Sequence, residues 1–146
     1  SVIAKYLNFK KHLISYLVTM LPGDRVQWIF HNNVKILSVD YRGLRWNEDF
    51  IAIFKTAVEV LDAVEETRTL VDVSGSYISS NVMQHAAKTF KPVGHKIVRR
   101  AIIGASSSYK LNYFQFTAPF NMNTQFFNDR QKGLDYLANL DAKKDS

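Results

Sequence analysis

Thr69-Leu70-Val71-Asp72-Val73-Ser74-Gly75-Ser76-Tyr77-Ile78-Ser79-Ser80 decides the fold. Its first half is a short apolar run rich in β-formers, the pattern of a buried strand. Its second half is small and polar, and leads through residues 76–80 into a helix expected over 81–90. Lys91-Pro92-Val93-Gly94 ends that helix, because the residue before a proline is pushed out of helical geometry. Open α/β sheets present their functional surface beyond the carboxyl ends of strands, so this junction is the first place to look for a site.

Downstream the alternation repeats. A strand is expected over 96–103, with Ala101-Ile102-Ile103-Gly104 its most buried part. Ala105-Ser106-Ser107-Ser108 supplies a turn or cap, and a helix covers 109–116, stopping near Pro119. Thr124-Gln125-Phe126-Phe127 is a short last strand. Asp129 then caps a final helix with Leu134, Leu137, Ala138 and Leu140 facing inward, and the polar tail 141–146 frays.

Upstream, Asn47 is read as the N-cap of a helix running to about residue 65, with Glu48 and Asp49 favourably placed in its first turn. Phe50, Ile51, Phe54, Val58, Leu61 and Val64 give it the broad apolar face of a helix lying on a sheet. Before it, strands over 26–30 and 34–41 flank His31-Asn32-Asn33 as a hairpin. Pro22-Gly23-Asp24 is a turn. Residues 2–21 place Val2, Ile3, Tyr6, Leu7, Leu13, Ile14, Leu17, Val18 and Leu21 at helical spacing, interrupted only by Lys10. This amphipathic helix is expected to bury its stripe on the domain or in a homodimer; a membrane-surface helix is the alternative. Its apolar run, residues 13–21, falls far short of the roughly 20 residues that span a bilayer. The lysines before that run imitate a signal peptide only weakly, and no export signal is read.

A chain of 146 residues that is 47% hydrophobic and 13% aromatic has the means to build one ordered core. It contains no cysteine, which excludes disulfides and thiol chemistry and fits a reducing, cytoplasmic setting. The net charge of +6 is unevenly placed. Between Asp72 and Asp129 there is no acid, yet Lys88, Lys91, Lys96, Arg99, Arg100 and Lys110 all fall there. Such a region attracts an acidic partner, anionic lipid or nucleic acid, or is simply a solvated face.

Few constellations carry chemistry. His12, His31, His85 and His95 have neither metal-helix spacing nor carboxylates to complete a ligand set. Ser79 or Ser80, His85 and Asp72 sketch a hydrolase triad, but no nucleophile elbow surrounds the serines. Ser106, Ser107 and Ser108 after a buried strand are a candidate anion-binding turn, with a plain helix cap as the favoured alternative. No Walker or G-x-G-x-x-G pattern supports a nucleotide site. Arg99 and Arg100, adjacent in a strand, should point to opposite faces. No recognition helix or stacking platform appears, so nucleic acid is not an expected partner. Tyr109, Tyr113, Phe114 and Phe116 are first of all helix-packing residues; Tyr113-Phe114 with Phe126-Phe127 also has the makings of an apolar pocket wall.

The order of elements and several short motifs resemble the SpoIIAA-like group of STAS/Sec14-type domains. The likeness rests on Val39-Asp40-Tyr41-Arg42-Gly43-Leu44 with Asn47-Glu48-Asp49-Phe50, and on Leu70-Val71-Asp72-Val73-Ser74-Gly75. Arg99-Arg100-Ala101-Ile102-Ile103-Gly104, Phe126-Phe127-Asn128-Asp129 and Gly133-Leu134-Asp135-Tyr136-Leu137 extend it to about residues 25–140. It implies an α/β, STAS-like mixed sheet of four to five strands with an antiparallel edge hairpin and covering helices, plus an extra N-terminal helix. The division expected is residues 1–24 for the amphipathic helix and turn, and 25–146 for the domain. In anti-anti-sigma STAS proteins the loop before the second helix carries a serine in an Asp-Ser-Ser-Gly-like motif, which kinase-type anti-sigma factors phosphorylate. Here the matching stretch is Ile78-Ser79-Ser80-Asn81. Ser80 holds the phosphoacceptor position, with Ile78 in place of the aspartate and Asn81 in place of the glycine. Lys88 is the cation expected to steady a phosphate there.

The function expected is a non-enzymatic, cytoplasmic protein-interaction or regulatory module with no cofactor and no metal. Ser79 and Ser80 are its candidate interaction or phosphorylation residues, and another protein or a second copy is its partner. Two alternatives stay open: a binder of a small hydrophobic molecule or lipid in an apolar pocket lined by the aromatics of residues 109–127, and a phospho-switched anti-anti-sigma-like regulator.

Overall fold

In the computed structural model, which describes residues 1–19, 21–117 and 123–140, the strand–helix alternation is explicit. The chain runs α1 (Val2–Thr19), a single turn α2 (Pro22–Arg25), β1 (Val26–His31), β2 (Val34–Asp40) and α3 (Asn47–Asp62). It continues with β3 (Thr67–Asp72), α4 (Ser80–Phe90), β4 (Ile97–Ile103), α5 (Ser107–Phe116), β5 (Thr124–Phe127) and α6 (Arg130–Ala138). The five strands are ordered β1-β2-β3-β4-β5; β1 is antiparallel to β2 and every later pair is parallel.

Each parallel crossover steps one strand along the sheet in the same direction, so crossovers of one hand carry α3, α4 and α5 to one face. Side-chain alternation then divides the core in two. Leu37, Val39, Val71 and Ile102 meet Phe50, Phe54, Leu61, Met83 and Tyr113 on the three-helix face. Ile36, Leu70, Ala101 and Ile103 lie with Leu137 of α6 on the other. Burial on both faces is why Thr69 to Asp72 of β3 are buried at successive positions instead of alternating. At Gly133 a β-carbon would come within 2.5 Å of Ile103 Cδ1, so the missing side chain lets α6 settle close to the sheet.

Several boundaries differ from expectation for local reasons. The hairpin turn is the pair Asn32-Asn33, with φ of +48° and +64°, a left-handed conformation asparagine tolerates. His31 therefore ends the strand instead of opening the turn. Asn47 is not the N-cap of α3: Trp46 holds that position without a side-chain cap, and Asn47 is already helical. The helix stops at Asp62, and Ile51 sits at its exposed margin. Pro22-Gly23-Asp24 forms a helical turn with Arg25. Leu140 lies beyond α6 and is exposed, not inward-facing.

The N-terminal helix forms, yet Val2, Ile3, Tyr6 and Leu7 are 84%, 72%, 59% and 58% exposed. The described part of its apolar stripe is therefore not buried on the domain. The side chains of residues 11–20, the expected stop at Pro119 and the tail 141–146 lie outside the described residues.

Candidate functional site

The carboxyl edge of β2 and β3 is a pair of interlocked loops. Tyr41 N–H donates to Asp72 O at 2.8 Å, Gly43 N–H to Ser74 O at 3.1 Å, and Tyr77 N–H to Leu44 O at 2.9 Å. Ser76 Oγ turns back onto Val73 O at 2.7 Å. The β4–α5 connection joins this edge at Gly104, whose φ is +74°. A β-carbon there would overlap the Ser74 hydroxyl and come within 2.9 Å of Ser74 Cα, so glycine is required on two counts. From this braced edge Trp46 and Tyr77 project into solvent, 71% and 59% exposed.

The candidate serines occupy distinct positions on the same edge. Ser79 is the N-cap of α4: its Oγ accepts from Val82 N–H at 3.2 Å and lies 3.4 Å from Asn47 Oδ1. Ser80, the first helical residue, has its hydroxyl 3.4 Å from Asn112 Oδ1 of α5, an exposed contact. Lys88 stands eight residues further along α4, about 12 Å at the helical rise, too far to neutralise a group on Ser80. Ser106 caps α5 by accepting from Tyr109 N–H at 3.1 Å, and its Oγ lies 3.3 Å from that of Ser108.

Two carboxylates lie side by side under the edge, since Asp40 pairs with Asp72 across β2 and β3. Asp40 accepts from Arg42 N–H, Nε and a terminal nitrogen at 2.9, 3.0 and 2.9 Å, with buried Arg25 at 3.8 Å. Burial alone would raise the Asp40 pKa; the hydrogen bonds from Arg42 and the charges of Arg42 and Arg25 outweigh it and hold the carboxyl below its ordinary value. Asp72 accepts from Ser74 N–H at 3.0 Å and faces Arg130 at 3.7 Å. His85 stacks on Phe54, with ring centroids 6.3 Å apart. The three members of the sketched triad are thus each engaged elsewhere. Among the described residues no group of three His, Asp or Glu can hold a metal ion, and no helix is long and apolar enough to cross a membrane.

Four of the six unbalanced cations are engaged within the fold. Lys96 Nζ donates to Leu61 O and Asp62 O, both at 3.1 Å, at the C-terminus of α3. Arg99, pointing to the α6 side, donates to Tyr136 O and Asn139 O, both at 2.9 Å. Arg68 joins it on Leu137 O. These are the places where a helix leaves carbonyls without partners and where its dipole favours cations. Lys110 lies over the Phe126 ring at 5.4 Å. Arg100 points inward from the opposite face of β4.

There it helps line a cavity of about 70 Å³ between the sheet and α3, α4 and α5. The apolar wall comes from all three helices, including Phe54, Leu61, Met83 and Phe90, with Tyr109 and Tyr113 from α5. The expected wall of residues 109–127 is corrected in part: Tyr109 and Tyr113 line the cavity, whereas Phe114, Phe116, Phe126 and Phe127 do not. Phe126 packs edge-on against Tyr113 at 5.4 Å, whereas Phe127, one residue on in a strand, turns to Tyr136 on the other face. Burial pushes the Tyr109 phenol up to about 12, against the pull of Arg100. Tyr41 rises further, by burial first and then by Tyr109. Both stay protonated donors at neutral pH.

No protein-family model matches the sequence, and no curated protein does. The structure is similar to that of an uncharacterized protein from the DUF3478 family with a SpoIIAA-like fold, from Shewanella loihica PV-4. The TM-score is 0.56 at 18% identity, over 77% of this chain and 91% of that one. The fold is SpoIIAA-like. At this identity the likeness concerns architecture, and the SpoIIAA-like sheet sets the interlocked edge and the cavity in place without assigning either a task.

Proposed function

We propose that this protein is a non-enzymatic interaction module that docks another protein on the carboxyl edge of β2 and β3. One observation carries the reading: an exposed tryptophan and an exposed tyrosine, residue types that dominate binding hot spots, stand on two loops hydrogen-bonded to each other. Rigid aromatic anchors lose little entropy on binding, and an edge already braced needs no ordering. Ser80 is the regulatory residue of this edge. Its hydroxyl makes one long, exposed contact, whereas that of Ser79 holds the helix cap. A phosphate on Ser80 would sit at the N-terminus of α4, where negative charge is favoured.

The test is site-specific photocrosslinking in the native cell. A crosslinker at Tyr77 is expected to trap a discrete protein band, and one at Phe30, exposed on the distant β1 edge, none. Trp46→Ala should weaken capture about 30-fold, the equivalent of a hot spot of about 2 kcal/mol. Capture from Phe30 alone, or indifference to Trp46→Ala, would overturn the reading. Phosphopeptide mapping of the same material is expected to find any phosphate on Ser80 and not on Ser79.

A further inference from the structure

The floor of the cavity beneath α3, α4 and α5 carries a row of polar residues that a packed core does not call for. Thr69 pairs with Arg100 across β3 and β4, and Arg100 pairs with Thr124 across β4 and β5. Thr124 is accounted for, since its Oγ1 accepts from Tyr113 at 2.9 Å. Thr117 is accounted for as well, by donating to Tyr113 O at 2.6 Å. Thr69 is not. It is 3% exposed, it lines the cavity, and its Oγ1 has no hydrogen-bond partner. A buried hydroxyl left unsatisfied costs stability, and native structures keep few of them.

The remaining polar lining has one character. Lys91 and Arg100 are cations, and Tyr41 and Tyr109 present phenols, while no aspartate or glutamate is among the described lining residues. A chamber walled by aliphatic and aromatic groups, with donors and positive charge on its floor, discriminates by charge sign: it favours an anion with an apolar body over an amine. Its size narrows the class further. About 70 Å³ is half of the roughly 150 Å³ that accommodates benzene in an engineered core, which limits the fully enclosed part to about three non-hydrogen atoms, the size of a carboxylate group. A phosphate ester, with phosphorus and four oxygens, is about five non-hydrogen atoms before any carbon is counted, more than this volume encloses. A monocarboxylate presents two oxygens, the number that an arginine fork or an arginine with a neighbouring hydroxyl satisfies.

We propose that this cavity is a binding site for a short-chain monocarboxylate, its carboxylate set against Arg100 and the Thr69 hydroxyl and its tail among Phe54, Leu61, Met83 and Phe90. Lys91, exposed at the end of α4, marks the side on which the chamber meets solvent. The inference does not depend on the docking edge; either can fail alone.

The experiment is calorimetric titration of the full chain with butyrate, using butanol and butylamine as neutral and cationic controls and dodecanoate as the long-chain arm. Butyrate is expected to bind saturably, with butanol at least about tenfold weaker and butylamine silent. Thr69→Val keeps the side-chain shape and removes only the hydroxyl; it should weaken butyrate about fivefold and leave butanol unchanged. Arg100→Gln should abolish the preference for the acid. Should that variant not fold, Thr69→Val carries the test by itself. Absence of saturable butyrate binding, equal binding of butanol, or butyrate affinity unchanged by Thr69→Val overturns the proposal. Dodecanoate binding where butyrate does not would overturn it too, by making the chamber one end of a long-chain site.

Discussion

Asp40 shows how one side chain holds a corner of the molecule. Arg42 folds its own loop around that carboxylate by donating from its backbone N–H, its Nε and a terminal nitrogen. Buried Arg25 fastens the same corner, its Nη1 donating to Asp40 O and Arg42 O at 3.2 and 3.1 Å. Because the folded carboxyl titrates below its ordinary 3.8, its contribution is present above that value and is lost as pH falls through the lower, folded value. Asp40→Asn leaves Arg25 and Arg42 without this counter-charge, so it should cost about 2–3 kcal/mol at neutral pH. The gap to the parent should narrow in acid, as pH falls through the carboxyl's lowered folded value and the parent's own carboxyl is protonated. Urea unfolding at neutral and at acid pH checks this; a gap independent of pH would mean that shape, not charge, is what the carboxylate supplies. Nothing in the local sequence announces Arg25. It is the last residue of a four-residue helical turn, and its partners lie 15 and 17 positions away. Trp46 carries a readable signal, a tryptophan between an arginine and an asparagine, but a single residue of that kind is easily passed over.

At the scale of elements, two of the six cations between Asp72 and Asp129 fasten helix ends. Lys96 closes the C-terminus of α3 and Arg99, with Arg68, that of α6. Lys96→Met should cost about 0.5–1 kcal/mol, the usual worth of a partly exposed cation at a helix end. Arg99→Met should cost more, about 2–3 kcal/mol, because Arg99 is buried and its loss removes the hydrogen bonds to the Tyr136 and Asn139 carbonyls. Thermal melts of the two variants test the order, and equal losses would contradict it. Elements and caps whose partners are local can be read from the sequence alone: Ser79 and Asp129 bond within three residues, and β3 and β4 announce themselves by composition. The same holds for the opposite orientation of Arg99 and Arg100, which follows from strand alternation. What the sequence hides is long-range. The helix ends that Lys96 and Arg99 serve lie 34–40 residues away, so a run of cations reads as one surface when two of its members are internal fasteners. Asn47 fails as a cap because the helix begins on it, with Trp46 at the N-cap, and its Oδ1 is left to accept from Ser79 on a neighbouring element.

For the whole molecule, the element to be placed energetically is α1. A sheet covered by three helices on one face and α6 on the other already buries two core clusters, and among the described residues none of their members comes from α1. The exposed Val2, Ile3, Tyr6 and Leu7 therefore contribute nothing to the described core. Ile3→Glu combined with Leu7→Glu in the full chain should change the unfolding free energy of the dilute protein by less than about 0.5 kcal/mol, as surface substitutions do. Chemical denaturation at low and high protein concentration measures it. A loss of about 2 kcal/mol at every concentration would mean that α1 folds back on the domain and buries its stripe there. A loss confined to high concentration would mark pairing between copies, because an association equilibrium makes stability depend on protein concentration, and light scattering would then record a fall in mass on substitution. An amphipathic stripe read from sequence says that a face needs cover; the free energy of this variant says whether the domain is what supplies it.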